Sequence, residues 1–218
     1  MITFKLNGKT VQGEEGQYIL QVAEKYGVDI PTLCHHKALD PAGMCRICTV
    51  ELFDGRRTRF VTACNYPIWE GMEVNTDTEA VHQGRKLIVE LLLARCPEVP
   101  LLQKLAGEYG IDKPRFETEA DTCILCGQCV RMCERIGANA IALTGRGVEM
   151  TVDTPYHEQI EACMACGACA SVCPTGHITL DTIKERVTKR AEAREIPSEY
   201  DMGLKGRKPV YVPYAQAV

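Results

Sequence analysis

Thirteen cysteines in a chain of 218 residues constrain it more than any other feature of its sequence. They are not scattered. Cys34, Cys45, Cys48 and Cys64 form a first group, spaced C-x10-C-x2-C-x15-C. Cys123, Cys126, Cys129 and Cys133 are spaced C-x2-C-x2-C-x3-C; Cys163, Cys166, Cys169 and Cys173 repeat that spacing, and Pro174 follows the last of them. Cys96 is left over. The N-terminus (MITFKLNGKT) has neither the basic start nor the apolar core of a signal peptide, so the expected location is the cytoplasm. In a reducing compartment an odd, clustered set of thiols points to metal rather than to disulfides. The single tryptophan and 6% aromatic content imply that metal shares with apolar packing the work of holding the fold.

Composition narrows the function classes. Hydrophobic residues make up 45% and charged residues 25%, as in ordinary globular proteins. A net charge of −4 and a pI near 5.8 argue against a nucleic-acid-binding surface, which needs a basic excess. The most apolar run, 87–94 (LIVELLLA), contains Glu90 and falls far short of the roughly 20 residues of a membrane span.

The cysteine groups divide the chain into four parts: a module over 1–78, a connector over 79–118, a repeat module over 119–182 and a tail over 183–218. In the first, Ile2, Phe4 and Leu6 alternate with polar residues before a tight turn at Asn7-Gly8. Tyr18, Ile19, Val22, Ala23 and Tyr26 recur at helical spacing, and Gly27 suits the helix end. The runs 48–53 (CTVELF) and 60–64 (FVTAC) read as strands joined through Asp54-Gly55. Hairpin, helix and returning strands predict a small β-grasp sheet. In the connector, Leu87, Ile88, Leu91 and Leu92 predict a helix with that stripe facing the core. Pro97 and Pro100 interrupt it, and Leu101, Leu102 and Leu105 resume it until Gly107 and Gly110. In the repeat module, short helices are expected around each cysteine run. A hairpin of 140–143 with 148–152 is expected between them, through Gly145-Arg146-Gly147. The fold class expected is α+β.

A C-x2-C-x2-C run lets three thiolates of one loop converge on neighbouring irons of a cube. The fourth cysteine, three residues on, sits in a helical turn facing away. In two-cluster ferredoxins that fourth residue ligates the other cluster, and the motif ends in proline. Applied here, one [4Fe–4S] cluster takes Cys123, Cys126, Cys129 and Cys173, and the other takes Cys163, Cys166, Cys169 and Cys133. Gly127 and Gly167 stand at the same place in the two loops, where a missing side chain lets backbone N–H groups approach sulfur. Zinc is the alternative, but its sites pair two C-x2-C knuckles and have no use for a third cysteine two residues later.

The first group agrees with a [2Fe–2S] site on Cys34, Cys45, Cys48 and Cys64. Its internal C-x2-C and β-grasp flanks fit, although its first loop is longer than the plant-type C-x4-C. Gly43 lies where a loop folding over a cluster needs it. A zinc knuckle is the alternative here too. A Rieske centre is disfavoured, since His35 and His36 lack the paired spacing that two histidine ligands require. They read as exposed residues or as neighbours of the ligands.

With these residues in place, the chain resembles a known family over roughly residues 1–180. The first group (CHHKALDPAGMCRICTVELFDGRRTRFVTAC), the helix LIVELLLA and the double ferredoxin motif occur in this order in certain electron-transfer subunits. These are the iron–sulfur N-terminal part of the large NADH dehydrogenase (complex I) subunit, its counterparts in NAD-linked formate dehydrogenases and [FeFe] hydrogenases, and the small diaphorase subunit of NAD-reducing hydrogenases. The resemblance implies one [2Fe–2S] and two [4Fe–4S] clusters in a wire from a flavin subunit. Family members usually add a further [4Fe–4S] site, with an H-x3-C-x2-C-x5-C pattern, after the LIVELLLA-like helix. Here that place reads ARCPEVPLLQKLAGEYG; Cys96 stands where the histidine belongs, and the three cysteines are missing. That cluster is expected to be absent and Cys96 to be a buried thiol. Electrons then pass from the first cluster to the repeat module by another route, such as a partner's cluster.

No G-x-G-x-x-G follows a strand, there is no Walker loop, and no nucleophile–base constellation is evident. No cysteine follows Cys173, which leaves none for a hydrogenase cluster domain. The expected function is therefore not catalysis by the chain alone. It is electron relay within a multisubunit NAD(P)-linked oxidoreductase of anaerobic type. The relay runs between a flavin/NAD(P)H-binding iron–sulfur subunit and a further catalytic or electron-accepting subunit or ferredoxin. The tail is charged over 183–208 and apolar over 209–218, and the apolar end is expected to dock on a neighbouring subunit. Its stretch GRKPVYVPYAQAV is similar to a segment beside ferredoxin motifs in heterodisulfide-reductase-type flavoproteins, which implies a flavin-based electron-bifurcating complex. Rival readings are a zinc-stabilised interaction scaffold, a succinate dehydrogenase-like iron–sulfur subunit, and a reductase with a flavin site of its own.

Overall fold

The computed structural model describes residues 1–155 and 162–183. The tail beyond Ile183, with its charged and apolar segments, lies outside the described residues. The chain opens with β1 (Ile2–Leu6) and β2 (Lys9–Gly13), antiparallel, with Leu6 opposite Lys9. Asn7 and Gly8 both take positive φ, 50° and 77°, as a two-residue turn matching the strands' right-handed twist requires. Helix α1 (Ile19–Lys25) follows, and Gly27 at φ 71° ends it. Next come β3 (Thr49–Phe53) and β4 (Thr58–Thr62), closed by a turn in which Asp54 Oδ1 accepts from the N–H groups of Arg56 and Arg57.

One strand has no counterpart among the sequence expectations: β5 (Glu73–Asn75). It lies at the centre of the sheet, whose order is β2-β1-β5-β3-β4, parallel to β1 and antiparallel to β3. This is the β-grasp arrangement. Phe4, Leu6, Val50, Leu52 and Val74 from the sheet and Ile19, Leu20, Val22 and Ala23 from α1 form the first core.

The connector holds α2 (Glu79–Arg95) and α3 (Pro100–Glu108). Thr78 caps α2, accepting at Oγ1 from the Val81 N–H at 3.2 Å, and Pro100 opens α3 where its missing N–H costs nothing. The face of α2 turned inward is only partly the one expected: Ile88 and Leu92 are half-buried against core residues. Leu87 and Leu91 are 43% and 48% exposed, while Val81, Arg85, Val89 and Leu93, four residues apart, are buried. In a run as uniformly apolar as LIVELLLA, spacing alone cannot choose the face. The choice is made by the partners: Arg85, itself buried, donates from Nε and a terminal nitrogen to the Thr49 carbonyl at 3.0 and 2.8 Å.

The repeat module contains α4 (Gln128–Arg135), β6 (Ala142–Thr144), β7 (Thr151–Asp153) and α5 (Ala168–Ser171). The expected hairpin is present but shorter, because residues 147–149 form a single 3-10 turn instead of continuing the strand. Among the described residues no helix is long and apolar enough to cross a membrane.

Candidate iron–sulfur centres

A second core joins the first module, the connector and the repeat module. It contains Leu33, Cys34 and Ile47 from the first module, Val89, Leu93, Cys96, Val99 and Leu102 from the connector, and Ile124 and Cys126 from the repeat module. The Cys34 and Cys123 loops therefore meet at one packed seam. Cys96 is fully buried within this core, at the cap of α2, as expected for it. Burial pushes its thiol up to about 11, so it stays protonated.

The first-group thiols stand as two pairs. Cys45 donates to Cys34, which falls to about 5, helped by the N–H groups of Cys45 and Met44 and by the charge of Arg131. The Cys45 N–H lies 3.4 Å from Cys34 Sγ. Cys64 likewise donates to Cys48, which falls to about 7. The donors Cys45 and Cys64 are pushed up by the thiolates they serve and by burial. Four thiolates could not share so buried a place without a cationic centre, and an iron cluster would supply one. The loop is built to reach them. Gly43 takes φ 64°, its N–H reaches the Cys64 sulfur, and a Cβ there would stand 2.7 Å from the Asn65 side chain. Thr62 Oγ1 in turn donates to Asn65 Oδ1 and pins it. His35 and His36 are half-buried beside these thiols, and His36 Nδ1 accepts from the Ala38 N–H.

The sequence repeat is also a backbone repeat. Leu125 and Ala165 take φ 52° and 54°, and Gly127 and Gly167 take 68° and 76°, at equivalent places in the two loops. Positive φ is uncommon for leucine and alanine. Here it turns the backbone inward, so that the N–H groups of Leu125, Gln128 and Val130 reach the sulfurs of Cys123, Cys126 and Cys129.

The grouping of charges crosses between the halves. Burial raises Cys123, Cys126 and Cys129, the last to about 12, and each is raised further by its neighbours; Cys173 acts on all three. Burial opposes ionisation of Cys173 as well, yet N–H groups of Ile178, Thr175 and His177 and the Thr175 hydroxyl bring it down on balance. Cys169 is raised by burial and by Cys166 and Cys133. Cys133 Sγ accepts the Ala140 N–H at 3.2 Å. Cys163 and Cys166 lie in the same loop as Cys169, and Cys166 is exposed. Among the described residues no three His, Cys, Asp or Glu side chains converge on a single metal ion. The donor set, all thiols in pairs and loops lined by N–H groups, is the kind that holds several irons bridged by sulfide.

Several residues that matter here carry no motif. Arg95, at the end of α2, donates to the Cys123 carbonyl at 3.0 Å and to Asp121 at 2.8 Å. Gln128, 3% exposed, donates from Nε2 to the Leu33 carbonyl at 2.7 Å. Arg131 donates to the Cys34 and Asp40 carbonyls, and Met44 lies over Gly127. The signal that could reveal Gln128 and Arg131 is a pair of polar residues within the cysteine-bearing stretch that forms α4.

Fold and thiols together define an iron–sulfur protein with a β-grasp [2Fe–2S]-type domain and a two-cluster ferredoxin-type domain. Residues 1–79 match the 2Fe-2S iron-sulfur cluster binding domain, and residues 122–177 match the 4Fe-4S dicluster domain. The NADPH-Fe(3+) oxidoreductase subunit alpha of Geobacter sulfurreducens is 34% identical over 212 residues, covering 85% of this chain and 25% of that protein. The mitochondrial NADH-ubiquinone oxidoreductase 78 kDa subunit of Neurospora crassa is 31% identical, covering 82% of this chain and 27% of that protein. Its counterpart in Candida albicans is 32% identical, covering 80% and 28%. The chain thus spans about a quarter of the length of these relatives. A chain in the crystal structure of NAD+-reducing [NiFe]-hydrogenase in the H2-reduced state superposes with TM-score 0.70 and 27% identity, covering 80% of this chain and 85% of that one. Over most of its length the protein is thus similar to parts of subunits of NADPH- and NADH-dependent oxidoreductases, and it carries a 2Fe-2S and a 4Fe-4S dicluster domain.

Proposed function

We propose that the chain is the iron–sulfur wire of a cytoplasmic, multisubunit NAD(P)-linked oxidoreductase. It relays electrons between a flavin/NAD(P)H-binding subunit and a partner that is a catalytic module or a ferredoxin. The [2Fe–2S] cluster would be held by Cys34, Cys45, Cys48 and Cys64. One [4Fe–4S] cluster takes Cys123, Cys126, Cys129 and Cys173. The other takes Cys163, Cys166, Cys169 and Cys133. The modules over 1–78 and 119–182 carry the clusters, the connector over 79–118 holds them together, and the tail over 183–218 serves docking.

The observation that carries this reading is the shared core in which Cys34 and Cys126 both lie. It supports a short path between the thiols that would hold the [2Fe–2S] cluster and those that would hold the first [4Fe–4S] cluster. The exposure of Cys166 supports the second [4Fe–4S] cluster as the end of the wire that faces a partner. The test is iron and labile sulfide analysis of the anaerobically purified chain. About ten of each are expected from one [2Fe–2S] and two [4Fe–4S] clusters. Stoichiometric zinc with little iron overturns the reading.

A further inference from the structure

We propose that Arg131 is a positioning residue for the [2Fe–2S] cluster: it ties the repeat module to the first cysteine loop and holds its charge beside Cys34, easing reduction of that cluster. The assignment rests on the cluster reading above. Arg131 lies in α4, two residues from Cys129 and Cys133, so its backbone belongs to the repeat module. Its head reaches into the other module. The two terminal nitrogens donate to the Asp40 carbonyl at 2.6 Å and the Cys34 carbonyl at 2.7 Å. Both carbonyls belong to the stretch that leads from Cys34 toward Cys45. One turn earlier, buried Gln128 donates to the Leu33 carbonyl, so α4 grips two successive carbonyls of the chain, those of Leu33 and Cys34.

A guanidinium whose two ends are fixed in this way cannot swing into solvent. Its third nitrogen, Nε, is buried without a hydrogen-bond partner in the structure. Leaving a charged group's donor unsatisfied is costly, which points to an acceptor supplied when the site is filled. The terminal nitrogen that donates to the Cys34 carbonyl places that charge beside the residue itself. One-electron reduction adds one negative charge to the cluster and its thiolates. A fixed cation at this place therefore stabilises the reduced form more than the oxidised one.

The experiment is an EPR-monitored redox titration of the [2Fe–2S] signal in the full chain, comparing native protein with Arg131→Gln and Arg131→Lys. In Arg131→Gln the reduced-to-oxidised ratio at a fixed potential should fall about tenfold, equivalent to about 59 mV for a one-electron couple. Arg131→Lys, which keeps the charge, should stay within about twofold of native. An unchanged ratio in Arg131→Gln, with the spectrum intact, overturns the proposal. If Arg131→Gln loses the cluster, Arg131→Lys decides alone: a native ratio supports the proposal, and a tenfold fall overturns it. A native chain with iron but no [2Fe–2S] signal overturns the cluster reading, and this assignment with it.

Discussion

At the scale of single residues, backbone conformation and burial decide which positions are replaceable. Gly127 sits at φ 68° with the Met44 sulfur 2.7 Å from where a Cβ would be. Gly127→Ala should therefore lower stability by about 1–2 kcal/mol, the ordinary cost of a left-handed L-residue. Gly84 lies in α2 with open space around it, and Gly84→Ala should raise stability by about 0.5–1 kcal/mol. Denaturant unfolding of both variants checks the pair. Cys96 is fully buried in an apolar core. Cys96→Ser should cost about 1–3 kcal/mol by burying a hydroxyl there, while iron content stays at the native level. A loss of iron in that variant would make Cys96 a ligand.

At the scale of elements, α2 shows where sequence reading succeeds and where it stops. Its C-terminal limit is legible from Pro97 and Pro100, because prolines act locally. Its inward face is not, since seven of the eight residues in LIVELLLA are apolar and the decision rests on distant partners such as the Thr49 carbonyl. The strand β5 is hidden for the same reason: three residues, Glu-Val-Asn, carry too short a pattern of their own and become a strand only between β1 and β3. The thiol sets are legible because ligand chemistry fixes spacing within a loop, whereas Gln128 and Arg131 reach partners 95 and 97 residues away in sequence. Leu102, fully buried on α3, and Leu87, exposed on α2, separate the two faces. Leu102→Ala should cost about 2–5 kcal/mol and Leu87→Ala less than about 0.5 kcal/mol in the same unfolding assay. The α2 helix is also anchored by Glu90, whose buried carboxylate takes three hydrogen bonds from Arg115 and is held down at about 2. Because its folded value lies below the ordinary 4.5, its contribution is complete above that pH and disappears as pH falls toward 2. The urea midpoint of Glu90→Gln should thus trail the native midpoint by more at about pH 7 than at about pH 3.5.

At the scale of the whole molecule, three parts of the chain that are separate in sequence share one core around the cysteine loops. Arg95 joins the connector to the Cys123 loop, and Gln128 and Arg131 join the following helix α4 to the Cys34 loop. On the proposed reading, such a seam would fix the distance between neighbouring clusters, which is what a relay needs from its protein. The central claim is that twelve of the thirteen thiols hold three clusters. Native mass spectrometry of the anaerobically purified full chain tests it most directly. The account predicts cofactor mass for about ten irons per chain, falling by about two irons in the Cys34→Ala/Cys45→Ala double variant and by about four in Cys163→Ala/Cys166→Ala. Bound zinc in place of iron, or an iron count that neither double variant lowers, would contradict it.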